Sequence, residues 1–249
     1  PVNMPPAHFP LLANVGAWLF SLGWLGWLLS SPFHVSGAVL DPSLIAVNGL
    51  MGATGAILAS QFYCWLVLGE ADPLMAARGA AAGVVALSAG APFMRPWSAL
   101  LVGVLAGFLL PVAVYLIERV LHLRDQTATV ALGVVGGVLG LLAVAVFADG
   151  RWGQGFNGIG ADEYLAVVGQ GVTGYLPAPG YMADGRGQTL AQLVGLVALA
   201  VPATVLGWGL MELLRLPYHR RKERSDPAVV MAEGDVLSTE ESAASPPRD

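Results

Sequence analysis

The sequence predicts an all-α polytopic membrane protein with about six transmembrane helices. Of its 249 residues, 55% are hydrophobic and 12% are charged, whereas about a quarter of the residues in a soluble domain are charged. Six mostly apolar stretches follow one another, and each is long enough for a helix to cross a bilayer. The 32 glycines suit helices that pack closely in lipid, where small residues allow backbones to touch.

The predicted spans cover residues 9–30, 43–68, 74–93, 98–121, 128–148 and 190–216. Turn-forming pairs separate the first four spans, namely Ser31-Pro32, Asp41-Pro42, Asp72-Pro73 and Arg95-Pro96, and a helix is expected to stop at each of them. Pro111 and Pro202 fall inside apolar runs, where a proline is expected to kink a helix. Residues 1–221 therefore form a predicted transmembrane domain.

The longest connection, residues 149–189, is predicted to be an external loop. It is rich in glycine and carries aromatic residues suited to the membrane–water interface, namely Trp152, Phe156, Tyr164, Tyr175 and Tyr181. An ordered cap and a mobile loop both fit this composition, and we expect the ordered cap. Residues 222–249 are polar and contain few aromatic residues, which predicts a disordered cytoplasmic tail.

Basic residues indicate the orientation of the chain. Lys and Arg collect at cytoplasmic helix ends, and the C-terminal run contains Arg215, Arg220, Arg221, Lys222 and Arg224. This run places the C-terminus in the cytoplasm, and six crossings of the cell (inner) membrane place the N-terminus there too. The run is most simply a topology signal, while contact of Arg220, Arg221, Lys222 and Arg224 with anionic lipid or a neighbouring subunit is the alternative.

Sequence patterns typical of catalysis, metal binding or cofactor binding are absent. Cys64 is the single cysteine, so a disulfide within the chain and a Cys-based metal site are excluded. The four histidines lie at or beyond the predicted helix ends, at His8, His34, His122 and His219. An ionisable residue within a membrane span is usually functional, but the central parts of these spans contain no His, Asp, Glu or Lys. We therefore expect a non-enzymatic protein without a cofactor, and nothing indicates nucleic-acid binding.

Three passages point to a known family. The first is Ala7-His8-Phe9-Pro10 followed by Leu22-Gly23-Trp24-Leu25-Gly26-Trp27, and the second combines Val47-Asn48, Asp72-Pro73 and the run Arg78-Gly79-Ala80-Ala81-Ala82-Gly83-Val84-Val85-Ala86-Leu87. The third is Asp125 leading into Gly136-Gly137-Val138-Leu139-Gly140. In this order they resemble the second half of the ammonium transporter family, the Amt/Mep/Rh proteins. The resemblance implies that the six helices correspond to helices six to eleven of an eleven-helix fold. Trimeric assembly is also implied, although the first half would supply much of its contact surface.

The departures from the family pattern define the candidate site. Aligned on the paired glycines, the family's pore histidine falls on Gly133, and its acidic residue five positions earlier falls on Ala128. By resemblance, Trp27 and Ser31 mark a weak substrate-binding site, in which the ring offers a cation–π face and the hydroxyl a hydrogen bond. The simpler interpretation places Trp27 in a packing stripe with Trp18 and Trp24.

We also expect direct helix contact to close the glycine face around Gly133, because residues three, four and seven apart share a helix face. Without the pore histidine, the sequence predicts a structural or accessory subunit of a membrane complex, with the lipid bilayer and other membrane-protein subunits as partners. The alternatives are a transporter of ammonium, ammonia or another small neutral solute completed by another chain, and a sensor whose basic tail relays occupancy to a cytoplasmic partner.

Overall fold

In the described part of the chain, the regular secondary structure is helical apart from one small hairpin, as the sequence predicts. The computed structural model describes residues 10–30, 40–123, 125 and 128–224, with side chains described as far as residue 213. Its helices are α1 Pro10–Ser30, α2 Pro42–Leu68, α3 Pro73–Ala86, α4 Pro96–Arg119, α5 Thr129–Phe147 and α6 Gly185–Arg224. Strands β1 Glu163–Tyr164 and β2 Val167–Val168 pair antiparallel. Five of the described helices, all except α3, are long and apolar enough to cross a membrane.

The Asp-Pro pairs that separate the spans act as helix starts. Asp41 accepts a hydrogen bond from the Ser43 backbone N–H at 2.8 Å, and Asp72 accepts one from the Leu74 N–H at 2.9 Å. In both places the following proline occupies the first turn, where its missing N–H costs no hydrogen bond. The aspartate satisfies one of the free N–H groups of that turn. The same dipeptide therefore begins both α2 and α3.

Glycine contacts hold α2, α3 and α4 together at the centre of the bundle. A Cβ atom on Gly103 of α4 would lie 2.1 Å from the carbonyl oxygen of Gly52 in α2, and one on Gly83 of α3 would lie 2.3 Å from that same oxygen. A Cβ atom on Gly107 would come within 2.3 Å of the Ala56 carbonyl oxygen. Only glycine permits these backbone contacts, which bring the helices close enough to gain dispersion energy in lipid.

The third apolar run forms a shorter helix than predicted. We expected a span over residues 74–93, but α3 ends at Ala86 and residues 87–94 form turns. Pro92 cannot donate to a helix and disfavours helical geometry at the residue before it. The 87–95 segment is nevertheless mostly buried. Some of its backbone groups pair within the segment, as the Ala91 N–H does with the Leu87 carbonyl, and the others need partners from elsewhere in the protein.

Asn48 of α2 supplies two of those partners. Its Nδ2 atom donates to the carbonyl oxygens of Ala91 and Met94, each at 2.7 Å. The Asn48 side chain is fully buried, so these hydrogen bonds are formed away from water. Irregular backbone at membrane depth is tolerated only where the protein itself covers it, and Asn48 provides that cover here.

The loop between α5 and α6 is ordered. Asp149 donates its backbone N–H to the Phe93 carbonyl, and Phe156 packs edge-on against the Phe93 ring at a centroid distance of 5.0 Å. The buried Gln170 side chain exchanges two hydrogen bonds with the Met182 backbone, at 2.9 and 2.7 Å. The loop is thus packed on the 87–95 segment and on itself. Its location outside the membrane stays a prediction.

The chain divides into two compact units, Pro1–Leu196 and Val197–Asp249. The first unit holds α1 to α5, the loop and the first turns of α6. In the second unit α6 continues as one helix through Pro202 to Arg224. The predicted tail from residue 222 is corrected at its start, because residues 222–224 are helical, while residues 225–249 lie outside the described part of the chain.

Candidate functional site

Trp27, a predicted substrate-binding residue, belongs to an aromatic cluster in the second half of α1. The rings of Phe20, Trp24 and Trp27 follow one another at centroid distances of 5.2 and 5.3 Å. Together with Gly23 they line a shallow concavity on the surface of the helix. Trp27 is 46% exposed, so part of its indole surface is open to a neighbour. Ser31, the other predicted substrate-binding residue, lies outside the described residues.

A hydrogen bond from α1 to the 87–95 segment fixes the middle of this cluster. The Trp24 Nε1–H donates to the Ser88 hydroxyl at 2.8 Å. The polar edge of the Trp24 indole is therefore used inside the protein, while Phe20 and Trp27 present apolar ring surface outward. The partly buried hydrogen bond of Trp24 fits the packing stripe, and the exposed ring of Trp27 fits the substrate-binding site, so both interpretations remain open.

The face predicted to be closed, which comprises Gly133, Gly136, Gly137 and Gly140, packs at Gly136 and Gly140, but the prediction is wrong at Gly133 and Gly137. Gly133 is exposed, and a Cβ atom built there or on Gly137 meets no described atom within 4 Å. The neighbouring glycines do pack, because a Cβ atom on Gly136 would lie 2.6 Å from Val85 Cγ1 and one on Gly140 would lie 2.5 Å from the Ala86 carbonyl oxygen.

Contact with α3 therefore involves the middle of α5 and does not extend one turn earlier, because crossing helices touch over a limited length. Residues 130, 133, 134 and 137 share one side of α5, since they are spaced three, four and seven apart. We call Val130, Gly133, Val134 and Gly137 the open α5 face. The same spacing defines an open α1 face, which consists of Gly16, Phe20, Gly23 and Trp27. A Cβ atom on either of its glycines also meets no described atom within 4 Å.

The described residues do not assemble Trp27 and Gly133 into one site. Both α1 and α5 pack on α3, but in the described part of the chain they make no contact with each other. A site that used both residues would need further structure to bridge the two helices.

Among the described residues no group of three or more His, Cys, Asp or Glu side chains could hold a metal ion. His122 is exposed, with its Nδ1 atom 3.0 Å from the Val120 carbonyl oxygen, and Cys64 is buried. His8 and His34, and the side chain of His219, lie outside the described residues. The basic residues Arg220, Arg221, Lys222 and Arg224 lie in α6, but their side chains are outside the description too.

Two polar residues of the bundle were missed as site candidates by sequence reasoning. Asn48 and Ser88 place an amide and a hydroxyl inside the helical bundle, where Asn48 Oδ1 has no hydrogen-bond partner among the described residues. The available signal for Asn48 was a lone amide in an apolar run, since buried polar groups are expected to have partners. Ser88 gave little signal, because serine is common in membrane helices.

A buried carboxylate joins the loop to the bundle. Asp149 is 2% exposed and accepts a hydrogen bond from Arg95 Nε at 2.8 Å, while Arg151 Nε lies 4.0 Å away. The Asp149 carboxylate also accepts the Arg151 backbone N–H at 3.1 Å. Asp149 thereby ties the start of α4 to the end of α5.

A second contact fixes the hairpin to the start of α6. The Tyr164 hydroxyl donates to the Asp184 carboxylate, one residue before α6 begins. Burial disfavours the phenolate, and the hydrogen bond to the charged Asp184 adds to this, so the pKa of Tyr164 rises to about 12. Tyr164 consequently remains a neutral donor at physiological pH.

Comparison with known proteins identifies the family to which the chain is similar. The model of the Ammonium Transporter Family matches residues 3–233. Ammonium transporter Amt2 of Archaeoglobus fulgidus is 31% identical over 148 residues, which are 59% of this chain and 31% of that protein. Ammonium transporter Amt2 of Haloferax mediterranei is 30% identical over 179 residues, or 68% of this chain and 39% of that protein.

A solved structure supports the same fold. The structure titled Sensor Amt Protein superposes with a TM-score of 0.63 at 23% identity, covering 84% of this chain and 44% of that one. The chain thus spans less than half the length of these relatives. An identity this low supports the fold alone.

Proposed function

The chain belongs to the ammonium transporter family, and we propose that within it this protein is a non-enzymatic integral membrane subunit with a structural or accessory role in a membrane complex. The supporting observation is the pair of open faces on α1 and α5. Glycine on a membrane helix allows another helix to approach closely, and the close contacts among Gly52, Gly83 and Gly103 demonstrate that use inside this bundle.

In this proposal the open faces receive transmembrane helices of a partner. Both termini face the cytoplasm across the inner membrane, consistent with the Lys and Arg residues at the C-terminal end of α6. Gly133 occupies the position of the family's pore histidine, and the subunit then contributes scaffold instead of a proton-handling group.

Site-specific photo-cross-linking in native membranes tests the proposal. A photoreactive amino acid replaces Val134, which lies on the open α5 face and is 55% exposed, and in a matched control it replaces Tyr115 on α4, which is 51% exposed. We expect a protein adduct at Val134 and only lipid adducts at Tyr115. Lipid adducts at both positions would contradict a partner on the α5 face.

The second candidate function is transport of ammonium, ammonia or another small neutral solute, completed by further helices. Family membership and the exposed Trp27 ring favour it, because an aromatic face attracts a cation. The open space at Gly133 makes a direct test available, since a Cβ atom added there meets no described atom within 4 Å.

Gly133→His, purified with any partner captured from native membranes, is reconstituted in liposomes for an ammonium flux assay. The accessory function predicts an unchanged melting temperature and no flux above that of protein-free vesicles. New flux that Trp27→Ala abolishes would support the transport function instead.

We also propose that Arg220, Arg221, Lys222 and Arg224 contact anionic headgroups. A basic residue near a negatively charged leaflet contributes about 1 kcal/mol of attraction. Replacing all four by Gln should remove a preference for co-purified anionic over zwitterionic lipid, as measured by lipid mass spectrometry. An unchanged lipid profile would contradict this contact, and the four basic residues would then serve only as a signal for membrane orientation.

A further inference from the structure

The turn between β1 and β2 contains residues that the turn itself does not favour. Glu163 pairs with Val168 and Tyr164 with Val167, so Leu165 and Ala166 form a two-residue connection. Their φ angles are +53° and +61°. Such tight hairpins strongly prefer Asn-Gly or Asp-Gly at these positions, since a left-handed conformation costs an L-residue energy. Turn chemistry therefore does not explain an apolar pair at the tip.

Aliphatic side chains project from this hairpin. Val168 is 81% exposed and Leu165 is 41% exposed, whereas the polar end of Tyr164 is hydrogen-bonded to Asp184. The hairpin thus exposes Leu165 and Val168, whereas Tyr164 and its pair partner Val167 are half-buried. This is the reverse of what a loop surrounded by water would favour.

Two contacts hold the hairpin beside the beginning of a membrane helix. Tyr164 bonds to Asp184, and Gln170, just beyond β2, bonds to the Met182 backbone. The membrane-length apolar stretch of α6 begins at residue 185, and its first exposed aliphatic residue, Leu190, is 65% exposed. The hairpin tip therefore lies close to the level at which the lipid-contacting surface of α6 starts.

We propose that the two exposed aliphatic residues of the hairpin, Leu165 in the turn and Val168 in β2, insert into the interfacial layer of the lipid bilayer beside the start of α6. Apolar side chains of interfacial segments enter about 5–10 Å into the boundary between headgroups and acyl chains. Glu163, which pairs with Val168, and the neighbouring Asp162 are acidic, so the contact is made by the aliphatic groups alone and gains nothing from anionic headgroups. The inserted tip continues the lipid contact of α6. It is independent of which partner covers the open α1 and α5 faces.

Depth-dependent fluorescence quenching tests this insertion in the full chain. In a Cys64→Ala background, single cysteines replace Val168, Leu165 or, as the water-exposed control, Asp162. Each carries an environment-sensitive fluorophore in phosphatidylcholine nanodiscs. We expect blue-shifted emission, strong quenching by spin-labelled lipid and weak quenching by iodide at Val168 and Leu165, with the opposite pattern at Asp162.

Each of the other outcomes overturns the proposal. Iodide quenching at Val168 equal to that at Asp162 would place the tip in water. Protection of Val168 from both iodide and spin-labelled lipid would place it against protein, as in a docking site for another subunit. Val168 lies on an exposed strand edge, so its variant provides the measurement even if Leu165→Cys disturbs the turn. Melting temperatures equal to that of the parent protein confirm the fold of each variant.

Discussion

Gly103→Ala should destabilise the bundle through a single methyl group. The added Cβ atom would lie 2.1 Å from the Gly52 carbonyl oxygen and 2.8 Å from both Gly52 Cα and the carbonyl carbon. All three are backbone atoms, so relief requires α2 and α4 to separate. Overpacking of this kind costs about 1–3 kcal/mol.

Gly133→Ala is the matched control, because it adds the same methyl group at a helix position where the new Cβ atom meets no described atom within 4 Å. Both substitutions gain up to about 1 kcal/mol of helix propensity. The difference between the two variants therefore isolates the steric cost. At about 2–4 °C for each kcal/mol, Gly103→Ala should melt about 2–12 °C below Gly133→Ala.

The single cysteine provides the assay. Cys64 is 1% exposed, so a thiol-reactive fluorogenic dye should report unfolding of the bundle as the protein is heated in detergent. Equal melting temperatures for the two variants would show that α2 and α4 separate easily. The proposed role of glycine contacts in holding the bundle together would then be refuted.

Three further predictions concern polar contacts. Asn48→Ala should lower the free energy of unfolding by about 1–3 kcal/mol, because it leaves two buried carbonyls without their donor. Thr54→Val, which removes an exposed hydroxyl bonded only within its own helix, should change it by less than about 0.5 kcal/mol, and equal melting shifts would contradict the reasoning. Asp149→Asn should speed hydrogen exchange throughout the α5–α6 loop, whereas Arg151→Gln, which removes a longer and half-exposed contact, should not. Tyr164 should contribute full stability below pH 10, the pKa of an unfolded tyrosine, and lose it as pH rises toward the folded value of about 12. The parent should therefore melt at a higher temperature than Tyr164→Phe below pH 10, and this difference should vanish as the pH rises toward about 12. A difference that stays constant across this pH range would contradict the assignment.

The helical fold was predictable because long apolar runs have few structural options in a bilayer. The Asp-Pro pairs were equally informative, since Asp41 and Asp72 mark the boundaries of predicted spans in the sequence and cap helices in the structure. The early end of α3 was not predicted. Composition over 74–93 is mostly apolar, and two of the hydrogen bonds that stabilise its irregular part come from Asn48, which lies far away in the sequence.

The candidate site was predictable only in part, because residue spacing reports which side of a helix a residue occupies but not what covers that side. Gly133 and Gly140 lie seven residues apart and share a side of α5. The structure nevertheless covers Gly140 with the Ala86 backbone and leaves Gly133 open. The angle at which two helices cross decides this difference, and no local pattern encodes it.

The short third helix has a consequence for how the protein is made. At 14 residues, α3 is about 21 Å long, less than the hydrocarbon thickness of about 30 Å. The irregular stretch that follows it receives hydrogen bonds from Asn48, which is synthesised earlier, and from the Asp149 backbone, which is synthesised later. Its full set of hydrogen bonds therefore forms only once α2 and the residues after α5 are both in place. The irregular stretch links the packing of the third helix to parts of the chain on both sides of it.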